Sequence, residues 1–436
     1  MERDIYQKLQ KWKESARRKP LILNGARQVG KTYALKYFAK KSYEKSAYFN
    51  FEKDKNLSSF FTGTLDPKEL IRNLSIHSFI DMEPENTLII FDEIQECAAA
   101  LNSLKYFCEE AGDYHIVAAG SLLGVKVAGG GGFPVGKVNF MNLFPLNFFE
   151  FLSVTGNAQL RVYLEGITEI APLPDPHHNK LKDLLRDYCY VGGMPEAVSE
   201  YIVHGRLDVV REVHLELLLA YEKDFAKHAP LNQITKITTI WNQIPQELAK
   251  ENKKFVFANI RKSARSRDYE EAIQWLLDAG LIYKSDCIET PKVPLASYRK
   301  GNIFKLFFMD VGLLGAMCNL SAKTVIDGDK LFTEFKGAFT ENYVAQELKA
   351  AACQDLFYWT SQGEAEVDFI LEIGGRVFPL EAKAGVNKRK KSLSVFGGKY
   401  QPMILLRSTL MNLKQEKNIK NYPLYMVREV LGSQEG

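Results

Sequence analysis

The sequence predicts an α/β protein of several domains, on three observations. Four short apolar runs lie in the first 120 residues, and helix-like segments separate them, the pattern of buried parallel strands alternating with helices. A second block of strand-like runs, LFYWT, EVDFILEI and VFPLEAK, follows an amphipathic helix near the C-terminus. The chain is also 436 residues long, beyond the roughly 250 to 300 at which a single core stops growing.

Composition narrows the class. With 46% hydrophobic and 25% charged residues, the chain has enough apolar material for cores and is not mainly disordered. Its 57 Lys and Arg against 53 Asp and Glu leave a net charge of +4, so any basic partner surface must be local. The opening MERDIYQKLQKWKESARRKP alternates charged and apolar residues without an apolar h-region, so no signal peptide is expected. No run approaches the roughly 20 apolar residues of a membrane span. The six cysteines lack CxxC pairing, which argues against zinc and disulfides and for a reducing, cytoplasmic setting.

The first run, Pro20 to Asn24, leads into Gly25-Ala26-Arg27-Gln28-Val29-Gly30-Lys31-Thr32 and then into the helix-like TYALKYFAKK. This is the G-x-x-x-x-G-K-[ST] phosphate-binding loop in its required strand-to-helix context. The glycines allow a curl that turns successive N–H groups toward phosphate. Lys31 is expected at the β and γ phosphates of ATP, and Thr32 at Mg2+. The run Thr87 to Phe91 ends in Asp92 and Glu93. Asp92 is expected to bind magnesium through its water shell and Glu93 to polarise the attacking water; the plainer reading is two solvated acids at a strand exit.

Two more runs, SAYFNF around Ser46 to Phe51 and HIVAAG from His115, complete the first sheet, with a strand between the loop strand and the Asp-Glu strand. That arrangement resembles the additional-strand class of P-loop ATPases. In that class a polar residue after the next strand senses the γ phosphate, and Ser121 has this position; as a simple cap of the following segment it would look the same.

GARQVGKT, FDEIQ, AAGSLLG, FPLNFFEFL and YVGGMPEAV together resemble prokaryotic AAA-type ATPases that carry a C-terminal domain of unknown function. The resemblance runs over nearly the whole chain. It implies a helical lid in which Gly193 and Pro195, within Gly192-Gly193-Met194-Pro195, lie near the adenine. It also implies oligomerisation. Relatives usually carry Gly-Arg before the next strand, whereas this chain has Gly136-Lys137, and lysine lacks the planar fork of an arginine finger.

Between Ile234 and Asp310 the pattern becomes short helices followed by LIYKSDC and NIFKLFFM, read as a winged helix whose hairpin is the wing. Asp268 to Gly280 has the apolar stripe of a core-facing helix. Beside it, ENKKFVFANIRKSARSR sets Lys253, Lys254, Arg261, Lys262, Arg265 and Arg267 against one acid. Arg261, Lys262, Arg265 and Arg267 are candidate phosphate contacts to DNA; the alternative is a solvated face of a protein-binding module.

Toward the C-terminus, Glu341 lies on the helix-like GAFTENYVAQEL, Asp368 in EVDFI, and Glu381 and Lys383 one strand later, giving D-x12-E-x-K. Alternation places Glu381 and Lys383 on one face. Such a set can hold magnesium and align a water for phosphodiester attack. It resembles the PD-(D/E)xK nucleases, in the branch with a helix-borne Glu, as in Holliday junction resolvases. Asp368 and Glu381 would be metal ligands, with Lys383 and Glu341 completing the catalytic set; a complete motif also persists in domains that only bind DNA. The run Lys388, Arg389, Lys390 and Lys391 follows.

The expected organisation is a P-loop AAA-type domain at 1–155, a helical lid at 156–230, a winged helix at 231–320 and a nuclease-like domain at 321–436. An ATP-dependent motor or switch acting on DNA, on branched or broken DNA in one version, fits these parts. The rivals are a slow signalling switch whose C-terminal domain is inactive, and a small-molecule kinase, for which no acceptor pocket signal exists.

Overall fold

The computed structural model describes residues 1–120, 134–250, 254–256, 265–322, 337–351, 355–361, 365–384 and 391–432. Two compact units result: Met1–Phe144 with Asp278–Gly280, and Pro145–Leu277 with Leu281–Gly436.

The first unit is built on five parallel strands: β1 (Leu21–Asn24), β2 (Lys45–Asn50), β3 (Thr87–Asp92), β4 (His115–Ala119) and β5 (Asn139–Asn142). Their order is β2-β3-β4-β1-β5. Val117 of β4 pairs with Leu21 on one side and Ile90 on the other, so β4 is the inserted strand the sequence called for. This order, with the loop after β1, is the additional-strand P-loop arrangement. The uninterrupted apolar run of β3 is buried along its whole length, as a central strand requires. At the sheet edge β2 alternates, with Ala47 and Phe49 in the core and Tyr48 and Asn50 on the other face. Helices Pro67–Ser78 and Ala98–Glu110 supply Leu70, Leu74, Leu104 and Phe107 to that core. The first of them starts on an Asp66 side chain that accepts the Lys68 N–H, with Pro67 in the first turn.

The second unit holds helices and one eight-stranded mixed sheet. Its strands are β6 (Ile282–Ile288), β7 (Arg299–Phe308), β8 (Leu356–Thr360), β9 (Glu366–Ile373), β10 (Arg376–Lys383), β11 (Leu405–Thr409), β12 (Lys414–Glu416) and β13 (Ile419–Pro423). They run in the order β12-β13-β11-β10-β9-β8-β6-β7. Here the sequence reading needs correction. The hairpin expected as a wing, β6 and β7, is the outer pair of this sheet, because β6 pairs in parallel with β8 from Ser285–Leu356 to Ile288–Trp359. Strand pairing therefore crosses the boundary drawn at residue 320. The reason is physical: β6 is buried at six of its seven positions, whereas a wing standing in solvent would bury one face only.

Of the three short helices expected in the middle region, two lie among the described residues. Ala272, Ile273 and Leu276 of helix Glu270–Asp278 are buried, and Trp241 of helix Ile234–Leu248 packs on Phe225 and, at 4.4 Å between ring centroids, on Phe308 of β7. Among the described residues no helix is long and apolar enough to cross a membrane, and Cys97, Cys108, Cys189, Cys287 and Cys318 are unpaired thiols.

Candidate nucleotide site and acid cluster

The loop after β1 curls as its glycines permit. Gly25 and Gly30 have positive φ, and so does Gln28, at φ 64°, an unfavoured value for a residue with a side chain. A Cβ on Gly25 would stand 2.3 Å from the Leu143 carbonyl, so the position has no room for one. Ala26 and Val29 are buried, while Arg27 is partly exposed. Arg3, which the sequence reading passed over, donates to the carbonyls of Val29 (3.4 Å) and Phe144 (2.6 Å), tying the chain start to the loop.

Lys31 is buried, and its Nζ donates to the carbonyls of Gly25 and Ala26, both at 2.9 Å. Burial lowers its pKa to about 8, although the charges of Glu93 and Asp92 oppose the shift. The ammonium is thus desolvated and bonded to neutral oxygens.

Thr32 Oγ1 donates to Asp92 Oδ2 at 2.9 Å, joining the loop to the end of β3. Tyr48 Oη donates to the same oxygen at 2.6 Å, and burial, together with this partner, raises the Tyr48 pKa to about 12. Tyr48 was not anticipated, but its signal was readable: it alternates with the buried Ala47 and Phe49, and β2 pairs directly with β3. Glu93 follows in left-handed backbone at φ 51°, with its N–H on Asp92 Oδ1 at 3.2 Å and its carboxylate accepting from Gln95 Nε2. A hydroxyl and a carboxylate in contact beside a phosphate loop are the hard oxygen donors that magnesium takes together with nucleotide phosphates and water, so these residues fit the ion. Ser121 lies outside the described residues. Lys137 forms an ion pair with Glu109 at 2.9 Å.

In the second unit, Gly193 N–H donates to Asp310 Oδ2 at 2.6 Å, and its carbonyl accepts from Leu146 N–H at 2.7 Å. A Cβ on Gly192 would lie 2.2 Å from Asp310 Oδ1, and one on Gly193 2.0 Å from the Leu146 carbonyl. The glycine pair is therefore required by protein packing against Asp310 and Leu146. Pro195 begins helix Pro195–His204. The Pro145–Phe151 motif is held nearby by a capping box between Asn147 and Glu150, and Phe148 N–H donates to the buried Glu347 at 2.9 Å. Burial raises Asp310 to about 6 and Glu347 to about 7.

The four nuclease-like residues come from one helix and two neighbouring strands of the second unit. Helix Ala338–Ala350 carries Glu341, which is buried and ion-paired with Lys305 Nζ of β7 at 3.1 Å. Asp368 Oδ2 accepts from Ala382 N–H at 2.8 Å, and Glu381 is ion-paired with Lys383. Among the described residues no group of three or more His, Cys, Asp and Glu is arranged to hold a metal ion. Glu341, Asp368 and Glu381 each have a partner inside the protein. Lys305 was missed, although a lone lysine inside the apolar NIFKLFFM was its signal.

Arg265 and Arg267 are exposed, with Arg267 3.8 Å from Asp268, while Arg261 and Lys262 lie outside the described residues. So do Lys388, Arg389 and Lys390.

Comparison with known proteins gives three family matches: an AAA domain over residues 17–152, a domain of unknown function (DUF8612) over 182–324, and a domain of unknown function (DUF4143) over 336–427. No curated protein matches. Similar solved structures include the Walker-type ATPase PABY2304 of Pyrococcus abyssi, at 13% identity over 72% of this chain and 94% of that one, with a TM-score of 0.43. The Aeropyrum pernix ORC1 protein in complex with DNA matches at 14% over 72% and 90%, TM-score 0.31. AMPPCP-bound DnaA from Aquifex aeolicus matches at 12% over 63% and 86%, TM-score 0.26. The P-loop fold rests on the strand order and the AAA match, not on these distant structures.

Proposed function

We propose, from the premise that this chain joins an AAA-family P-loop domain to a DUF4143-family domain, that it is an ATP-hydrolysing motor or switch acting on DNA. The observation that carries the ATPase part is the Thr32–Asp92 hydrogen bond, which joins the phosphate loop to the acidic strand end. In this reading the N–H groups from Ala26 to Thr32 cradle the phosphates, and Lys31 leaves its two carbonyl partners for the β and γ oxygens. Thr32 and Asp92 are the residues that would hold Mg2+, which would supply charge neutralisation at the phosphates. Glu93, turned by its left-handed backbone and steadied by Gln95, positions and polarises the water. Ser121 senses the γ phosphate.

The DNA part is supported by the basic run from Lys253 to Arg267, whose Arg265 and Arg267 are exposed. Assembly into a homo-oligomer belongs to the same proposal, with Lys137 as a candidate trans-acting cation once it leaves Glu109. One observation favours a second reading, a slow regulatory switch with a non-cleaving C-terminal domain: Lys305 stands inside the acid cluster. Turnover measured with no DNA and with single-stranded, duplex and four-way DNA separates the two. A motor is accelerated by its track, and turnover indifferent to all three would leave the switch.

A further inference from the structure

Lys305 is completely buried at the centre of β7, and its Nζ contacts Glu341 Oε2 at 3.1 Å and Glu366 Oε1 at 2.5 Å. Asp368 is close enough to add to the field on the same ammonium. The geometry is not that of neighbouring strands, since β8 and β6 stand between β9 and β7 in the sheet. In a flat sheet the two strands would be about 14 Å apart; the long side chains of the β7 lysine and the β9 acid nevertheless meet. The ring of Tyr358 lies on a further side, 4.8 Å from Nζ.

A nuclease of the D-x12-E-x-K type needs a hard divalent cation among these acids, with near-octahedral oxygen coordination. We propose that the Lys305 ammonium takes the place of that cation, so that the acid cluster is an internal, metal-free ion-pair network joining the helix of Glu341 to the sheet.

Three consequences agree with the rest of the structure. A fully buried lysine would ordinarily lose its proton, yet its carboxylate partners hold its pKa above the usual value, so it stays charged. Glu341 and Glu366 each spend an oxygen on the ammonium, and Asp368 spends one on the Ala382 N–H. Lys383, the other conspicuous cation, is paired with Glu381. Each acid of the motif thus has a partner inside the protein. The proposal stands whether or not the chain acts on DNA. It gives the acid cluster a structural role rather than a cleaving one.

The test is manganese binding, followed by electron paramagnetic resonance, to the nucleotide-free full chain as wild type, Asp368→Asn, Lys305→Gln, Lys305→Gln with Asp368→Asn, and Lys305→Arg. The wild type and Lys305→Arg are expected to show no binding that depends on Asp368. Lys305→Gln, which is shorter and removes the charge, is expected to bind at least tenfold more tightly than wild type, and adding Asp368→Asn removes the gain. Should Lys305→Gln be too unstable for titration, its melting temperature should rise with manganese while that of the wild type stays put. Asp368-dependent binding in the wild type would overturn the proposal, and so would a folded Lys305→Gln indifferent to manganese in both assays.

Discussion

Lys31 and Lys305 are both buried, yet their surroundings are opposite. Lys31 is bonded to two carbonyls, and burial brings its pKa down to about 8. Lys305 is bonded to two carboxylates, which hold its pKa up. The first ammonium is desolvated without being neutralised, a state that an incoming polyanion relieves. The second has its counter-ions built in. Burial and residue type do not separate a binding lysine from a structural one; the charge of the atoms it touches does.

The sharpest way to break this contrast is to remove each charge. Lys31→Ala should weaken ATP binding about a thousandfold, on the order of the loss of a desolvated charge pair, while leaving the melting temperature at or above that of the wild type. Lys305→Ala should do the reverse. It strands buried carboxylates and should cost about 3–5 kcal/mol, with nucleotide affinity of the protein that remains folded unchanged. Calorimetric titration and thermal melts on both variants decide it, and two variants with the same profile would erase the distinction.

A smaller effect is expected at Glu93. Glu93→Gln keeps the shape and the contact with Gln95 but removes the anion, so turnover should fall about a hundredfold or more while ATP stays bound. Wild-type hydrolysis in a phosphate-release assay would move the base elsewhere.

The lowered pKa of Lys31 gives a pH test. Its folded value of about 8 lies below the ordinary 10.5, so the free protein carries the charge below pH 8 and loses it above. Apparent ATP affinity should therefore weaken about tenfold from pH 7 to pH 9, and less in Lys31→Arg, whose guanidinium stays charged. An affinity flat to pH 9.5 in the wild type would mean that Lys31 is not the group being desolvated. The smallest effect belongs to the exposed cations. Reversing Arg265 and Arg267 to Glu should lower the log–log salt slope of duplex DNA binding by roughly 1.8, at about 0.9 per phosphate contact; an unchanged slope in fluorescence anisotropy removes them from the interface.

What was legible follows the same division. The P-loop is eight consecutive residues with a strand before and a helix after, so local pattern alone defined it, and Asp92 and Glu93 were marked by the apolar run that ends in them. The sheet order confirmed the strand expected between them. The acid cluster brings together β7, a later helix and β9, and no periodicity within one segment states which lysine will meet which acid. The hairpin was misassigned for a related reason: β6 and β7 were read as strands, but their partner, β8, is distant in sequence.

That distance matters while the chain is being made. Ile288 pairs with Trp359, about 70 residues later, so at the usual 5–20 residues per second the β6 edge waits roughly 3–14 s for its neighbour. Throughout that interval Phe304, Leu306 and Phe307 of β7 lack the helix and strands that bury them in the finished molecule. A chain stopped near residue 320 would keep that apolar edge permanently, which makes the join between middle and C-terminal regions the point where synthesis is most exposed to aggregation. The two regions thus complete one sheet only when both have emerged.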